Sequence, residues 1–212
     1  MKIGILGSGI VGETLGSGFL KHGHEVMAGS RSPEKLAKWA AENPGAKTGS
    51  FQEAAAFGEL IVLAVGGSVA RDALALAGGA DLEGKTIFDA TNPVSGPPQK
   101  GVLPLFTTST MSLMETLQSA YPKARFVKIF NSVGAASMVN PEFPDGKPTM
   151  FICGNDAGAK GTAAKILDSF GWETADMGDA ESARAIEPLC VLWCIPFFQK
   201  KEMTHAFRLL RR

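Results

Sequence analysis

The sequence predicts an α/β fold with a doubly wound, mostly parallel sheet, and three observations carry that expectation. Apolar runs of strand length alternate with helix-like segments from one end of the chain to the other. Several of these runs are continuous Val, Ile, Leu and Phe, as in parallel strands covered on both faces. Helix-opening residues recur between them, so each passage reads as a βαβ unit with a right-handed crossover.

Strands are expected at residues 2–6, 25–28, 60–65, 86–90, 126–130, 149–153 and 173–177. Ser32 before Pro33 predicts a cap with proline at the first helical position. Ser50 with Glu53, and Ser112 with Glu115, have capping-box spacing, and Asp156 and Asp179 are further cap candidates. Residues 93–109 lack periodicity and carry Pro93, Pro97, Pro98 and Pro104. They read either as a surface connection or as a loop bordering a ligand crevice at a strand's carboxyl end. From Asp179 onward the chain reads as one long helix-like segment, broken by Pro188 and Pro196. The organisation expected is a main domain over 1–178 and a helical segment over 179–212 packed on it as a single compact unit.

Composition excludes several classes of function. The 21 basic and 21 acidic residues cancel, leaving no electrostatic footprint for nucleic acid or anionic membranes. The longest apolar stretch, 189–198, is far short of the ~20 residues of a spanning helix. The apolar start runs into a glycine loop and not a cleavage site, so a soluble cytoplasmic protein with reduced Cys153, Cys190 and Cys194 is expected. Cys190 and Cys194 have helical i,i+4 spacing, but no His or Cys completes a ligand set nearby. They are read as core thiols, and no metal is expected.

The chemistry begins at Gly7-Ser8-Gly9-Ile10-Val11-Gly12. This G-x-G-x-x-G directly follows the first strand and opens a helix with Leu15 and Phe19 inward. Gly7 serves a tight turn, Gly9 lets backbone approach a pyrophosphate, and Gly12 allows close helix–strand packing. The phosphates meet free N–H groups and the positive end of the helix dipole. This context makes 1–178 a Rossmann dinucleotide-binding domain. An NAD-specific domain places a carboxylate at the end of its second strand. Here that end reads Gly29-Ser30-Arg31-Ser32, with Lys35 following. A hydroxyl, a guanidinium and an ammonium suit the 2′-phosphate of NADP(H), with Ser32 assigned to capping.

Other catalytic signatures are missing. The single tyrosine, Tyr121, is followed four residues later by Arg125, so no Tyr-x-x-x-Lys pair exists. Lys128 and Asn131 spell the K-x-x-N of β-hydroxyacid dehydrogenases, but without a helical domain behind it Lys128 reads as an exposed strand residue. His22 and His24 bracket a turn at Gly23, and His205 is expected exposed in the last helix. A hydride passed between two positioned cofactors needs little acid–base help.

Four segments give a more specific signal: GILGSGIVG at the start, AGSRSPEKL after the second strand, DATNPV near residue 90, and VKIFNSVGAASMVNP. Together with the ending AFRLLRR, the sequence resembles the coenzyme F420-dependent NADP oxidoreductase family along essentially its whole length. The resemblance implies hydride transfer between NADPH and the deazaflavin ring of F420. It implies 2′-phosphate binding at Ser30 and Arg31, and strand ends lining ribose and nicotinamide at Val65, Gly66, Asn92 and Pro93. It also implies an acceptor-side loop containing Asn131, Ser132, Gly134 and Ala135. Asn131 stands where the archaeal enzymes carry a histidine, and Val65-Gly66-Gly67-Ser68 lacks their bulky nicotinamide wall. Both departures also suit a flavin, an organic substrate, or a role like the cytosolic reductase domain of the six-transmembrane ferric reductases.

Residues 189–198 are apolar nearly all round, whereas a surface helix needs only one apolar stripe. Burial against the sheet plus a homodimer contact is expected, the latter because the family is commonly dimeric. Arg184 and Glu187, at i,i+3, are expected to pair; the alternative puts Arg184 on an anionic ligand. The function expected is NADP(H)-dependent hydride transfer with F420 or a flavin as acceptor. The alternatives are an imine or carbonyl reductase akin to pyrroline-carboxylate reductases, and a non-enzymatic NADP(H) sensor.

Overall fold

The computed structural model describes residues 1–212. Strand β1 (Lys2–Leu6) runs into helix α1 (Ile10–Lys21), which returns to β2 (Glu25–Gly29). Helix α2 (Ala37–Glu42) leads to the edge strand β3 (Lys47–Gly49), and α3 (Phe51–Phe57) crosses back to β4 (Leu60–Leu63). Helices α4 (Ala70–Leu76) and α5 (Gly79–Leu82) precede β5 (Thr86–Asp89), and α6 (Leu113–Ala120) precedes β6 (Arg125–Lys128). These strands form one parallel sheet in the order β3-β2-β1-β4-β5-β6, the Rossmann order. Its switch point lies between β1 and β4, where crossovers leave in opposite directions.

Both faces are covered, which explains the continuous apolar runs. Ile3 and Ile5 of β1, Leu60 and Val62 of β4, and Val127 of β6 face one core with Phe19, Trp39 and Phe170. Their neighbours Leu6, Ile61, Leu63, Ile87 and Phe126 face a second core with Ala54, Leu74 and Leu117. The period of two sorts residues between cores, not between core and water. Beyond β6, β7 (Thr149–Ile152) and β8 (Glu173–Asp176), linked by α7 (Ala157–Ser169), form a parallel pair. An antiparallel bridge joins them to the main sheet, with Lys128 N donating to Cys153 O at 3.0 Å.

The seven expected strands are present, some shorter by one or two residues; β3, with no buried apolar side chain, was not expected. Ser50 and Ser112 close true capping boxes: each Oγ accepts from the N3 amide, and the N3 glutamate accepts from the cap amide. Asp156 caps α7 by accepting from Ala159 N at 2.7 Å. Ser32 and Asp179 cap nothing with their side chains. Each heads a 3₁₀ turn closed by its own carbonyl, which accepts from Lys35 N and Ser182 N respectively.

Residues 93–109 fold back on themselves through bridges between Val94 and Leu105 and between Gln99 and Val102. Lys100 and Gly101 turn the tip with φ of 50° and 82°, the positive pair a tight hairpin turn favours. Gly101 lies against Phe198 and Gln199.

Helix α8 (Ala183–Lys200) corrects four expectations. It runs unbroken through Pro188 and Pro196, because tertiary contacts outweigh the backbone hydrogen bonds that proline removes. Of residues 189–198 only Trp193 is buried, and Leu192 is 54% exposed; Cys190 and Cys194 are accordingly half-buried, while Cys153 is fully buried. His205 lies in a non-helical tail, stacked on Trp193 at 4.7 Å between ring centroids. Arg184 does not pair with Glu187. Its Nε donates to both Glu115 oxygens, at 2.9 and 3.1 Å, and this guanidinium holds the Glu115 carboxyl down at about 2 despite desolvation. Glu187 points inward instead.

Candidate active site

The carboxyl ends of β1, β2 and β4 open onto a cleft of about 510 Å³. Its floor is the turn from β1 to α1. Gly7 there has φ 146°, and an added Cβ would come within 2.2 Å of Ala64 O. A Cβ on Gly12 would meet Gly7 O at 2.6 Å. A Cβ on Gly9, by contrast, meets no atom within 4 Å. Two glycines are therefore required by the protein's own packing, and the third keeps a space open outside it. The first amides of α1 have no side-chain cap. They face that space with the positive end of a 12-residue helix.

Ser8, Ser30, Arg31 and Lys35 line the same cleft. Ser30 is buried and braces the loop: its Oγ lies 3.1 Å from Ser8 Oγ and accepts from Ser32 N at 3.1 Å. Arg31 and Lys35 are exposed at the rim. The only carboxylate in the lining is Asp72, on α4 and not at the end of β2. The residues present thus fit a 2′-phosphorylated dinucleotide: a cradle that a Cβ would fill, uncapped helix amides for the pyrophosphate, and two solvated cations beyond the β2 end.

A second cavity of about 370 Å³ continues from Gly9, Ile10 and Val11 across Ala64–Ser68 to Ala90, Asn92 and Val94. Val65 and Gly66 line both cavities, and a Cβ on Gly66 would meet nothing within 4 Å. Pro93 is buried beside Asn92. Val94 brings the 93–109 hairpin to the edge of this cavity. No titratable side chain lines this second cavity; its polar side chains are Ser68 and Asn92.

The acceptor-side candidates divide. Asn131 and Ser132 are buried, whereas Gly134 and Ala135 are half-exposed. Asn131 Nδ2 donates to Asn92 Oδ1 at 3.1 Å and to Ile186 O of α8 at 3.0 Å. Asn92 Nδ2 returns a bond to Asn131 O at 2.9 Å. Gly134 packs on the Trp193 indole, where a Cβ would lie 2.5 Å from the ring.

The residue misread from sequence is Lys128. It is not an exposed strand residue but wholly buried. Its Nζ lies 2.7 Å from Asp89 Oδ2 and 3.1 Å from Glu187 Oε1, and donates to Thr91 O at 3.0 Å. Asp89 and Lys128 are register partners on adjacent strands. Desolvation is the largest influence on the ammonium and opposes its charge. The two carboxylates outweigh it, and the pKa stands above the ordinary lysine value. Lys128 is therefore a buried cation that lines neither cavity. Removing Lys128 would strand two buried carboxylates, at a cost of about 3–5 kcal/mol. Burial pushes the Cys153 thiol up to about 12, which removes it as a nucleophile. No group of three or more potential metal ligands exists, and no helix is long and apolar enough to cross a membrane.

The model of the family described as NADP oxidoreductase, coenzyme F420-dependent, matches residues 2–93, which hold the cradle, the β2 end and Asn92. The crystal structure of a proposed F420-dependent NADP reductase from Arthrobacter sp. FB24 is 35% identical. It covers all of both chains with a TM-score of 0.93. Metalloreductase STEAP3 of Rattus norvegicus is 33% identical over 201 residues, 92% of this chain; the chain spans 38% of that protein. An imine reductase from Bacillus cereus BAG3X2, 16% identical, covers 87% of this chain and 57% of its own with a TM-score of 0.64, a likeness of fold alone. With a 35% identical relative matched end to end and the cradle inside the family's matched segment, the chain belongs to the coenzyme F420-dependent NADP oxidoreductase family and is an NADP-dependent oxidoreductase.

Proposed function

We propose that the protein transfers a hydride between NADP(H) and a planar ring acceptor, a deazaflavin such as F420 or a flavin, at the second cavity. The observation that carries this reading is that cavity's lining, whose polar side chains are Ser68 and Asn92 and which holds no titratable group. Reducing a carbonyl or imine calls for a positioned proton donor, whereas ring-to-ring hydride transfer needs mainly alignment and exclusion of water. NADPH supplies the hydride when bound. The α1 amides and Gly9 seat its pyrophosphate, and Arg31, Lys35 and Ser30 take the 2′-phosphate. Val65, Gly66, Asn92 and Pro93 border its nicotinamide end. Gly134 and Ala135 follow Asn131, which bonds Asn92, and would form the acceptor side. Free thiols and a metabolic dinucleotide suit the cytoplasm.

The test follows NADPH absorbance with purified protein against F420, FMN, FAD, a ferric chelate and a panel of small carbonyls and imines. Turnover is expected with F420 or a flavin and negligible with the carbonyls and imines. Efficient turnover of a carbonyl or imine with the ring acceptors inert overturns this reading and favours the reductase alternative. Tight NADPH binding without turnover on any acceptor favours a sensor.

The half-exposed flank of α8 supports a homodimer. Leu192 of α8, with Val102, Phe106, Met111 and Met203, is exposed, apolar surface that a homodimer contact would cover. Sedimentation should give about twice the 22.3 kDa of one chain, and Leu192→Glu should shift it to the monomer. A monomeric wild type contradicts the proposal.

A further inference from the structure

Three side chains outside the linings of both cavities are bonded to the turn that carries Ala90 and Asn92 into the second cavity, or to one another. Asp89 ends β5, Lys128 ends β6, and Glu187 enters from α8; all are at most 1% exposed. Each is tied to a different piece of the site. Asp89 Oδ1 accepts from Thr91 N at 2.9 Å and from Thr91 Oγ1 at 2.6 Å, while its Oδ2 makes the ion contact with Lys128. Lys128 Nζ donates to Thr91 O, so both the amide and the carbonyl of the residue preceding Asn92 are fixed. Glu187 accepts from Leu113 N and Met114 N at 3.0 Å each. It thereby caps α6 where Ser112 cannot reach and locks α8 to the sheet.

The loop held by this cluster does not favour its own conformation. Phe130, buried and non-glycine, adopts φ 62°. Asn131 beside it is buried with Oδ1 lacking any partner. A left-handed bulky residue and an orphaned acceptor persist only where surroundings over-determine them. Here Ile129 N donates to Asp89 O at 3.1 Å, and Asn131 spans from Asn92 to α8.

We propose that Asp89, Lys128 and Glu187 are positioning residues that hold the Asn92 turn, the 130–135 loop and α8 in one register at the nicotinamide end. This rests on the hydride-transfer reading for its use, but not for its test. Glu187→Gln leaves Lys128 and Asp89 as a balanced pair and keeps one acceptor for α6. Asp89→Asn can keep Oδ1 as the acceptor for Thr91, but it then turns an Nδ2 donor toward the Lys128 ammonium and loses the ion contact, leaving Lys128 paired with Glu187. Hydrogen exchange by mass spectrometry on the full chain, with NADPH affinity read by fluorescence, requires no acceptor.

In either variant, amide exchange in residues 90–95 and 130–135 should rise about tenfold while β1 and α1 stay protected. NADPH affinity should remain within about threefold, since the cradle is untouched. With FMN or F420 as probe, kcat should fall while KM for NADPH holds. Unchanged exchange in those two segments overturns the proposal. So does a uniform rise across the chain, or loss of folding in both variants, either of which assigns the triad to global stability. A wild type inert with every acceptor defeats the hydride-transfer reading separately and leaves the exchange result standing.

Discussion

Replacing Gly9 by valine is expected to abolish NADP(H) binding while the protein unfolds at close to the wild-type temperature. The three glycines of the loop differ in what an added side chain would strike. At Gly7 and Gly12 it strikes backbone, 2.2 and 2.6 Å away. Substitution there forces the turn apart, with overpacking costs of about 1–3 kcal/mol or more. At Gly9 it strikes nothing in the protein, so the only volume it takes is the space the pyrophosphate needs. Thermal unfolding and dinucleotide titration of Gly9→Val beside Gly12→Val separate the two effects: the first should lose binding, the second stability. A folded Gly9→Val protein that keeps its NADPH affinity removes the phosphate-loop assignment.

Replacing Arg31 by alanine should weaken NADPH by roughly ten- to hundredfold and leave NADH within about twofold. A hydrogen bond to a charged group contributes about 1.5–3 kcal/mol, and about 1.4 kcal/mol is a factor of ten. Arg31 is exposed, so screening places the effect toward the lower end at physiological salt. Only NADPH carries the 2′-phosphate, which makes NADH the internal control. Equal weakening of both would show that Arg31 supports the β2–α2 connection and does not read the phosphate.

Local chemistry was the legible part of this chain. The strand–turn–helix at Gly7, the capping boxes at Ser50 and Ser112, and the missing carboxylate after β2 each need only a few neighbouring residues to interpret. What stayed hidden depends on partners distant in sequence. The lack of a helical domain behind it makes Lys128 read as exposed, yet it lies in Phe126-Val-Lys-Ile-Phe130, a run with both faces covered and no solvent side to offer. That run, together with Asp89 ending the adjacent strand, was the available signal. Its third member, Glu187, lies 59 positions further on in the sequence and meets Lys128 only because α8 packs across α6.

Arg184 and Glu187 misled for the same reason. Helical i,i+3 spacing makes a pair possible, but Glu115 and Lys128 each offered a partner that tertiary packing brought closer. The prolines of α8 show local propensity losing to context: Pro188 and Pro196 remove donors, and buried anchors at Ile186, Glu187 and Trp193 keep the helix continuous. The short edge strand β3 escaped because Lys47–Gly49 has no apolar pattern, its pairing coming from the backbone of β2 alone.

The most direct test of the cleft at the ends of β1, β2 and β4 is a pair of equilibrium titrations of the wild-type protein, one with NADPH and one with NADH. With Arg31 and Lys35 beyond the β2 end and no carboxylate there, NADPH should bind tighter by about tenfold or more. Equal affinities, or a preference for NADH, would contradict an NADP(H) site built on these residues.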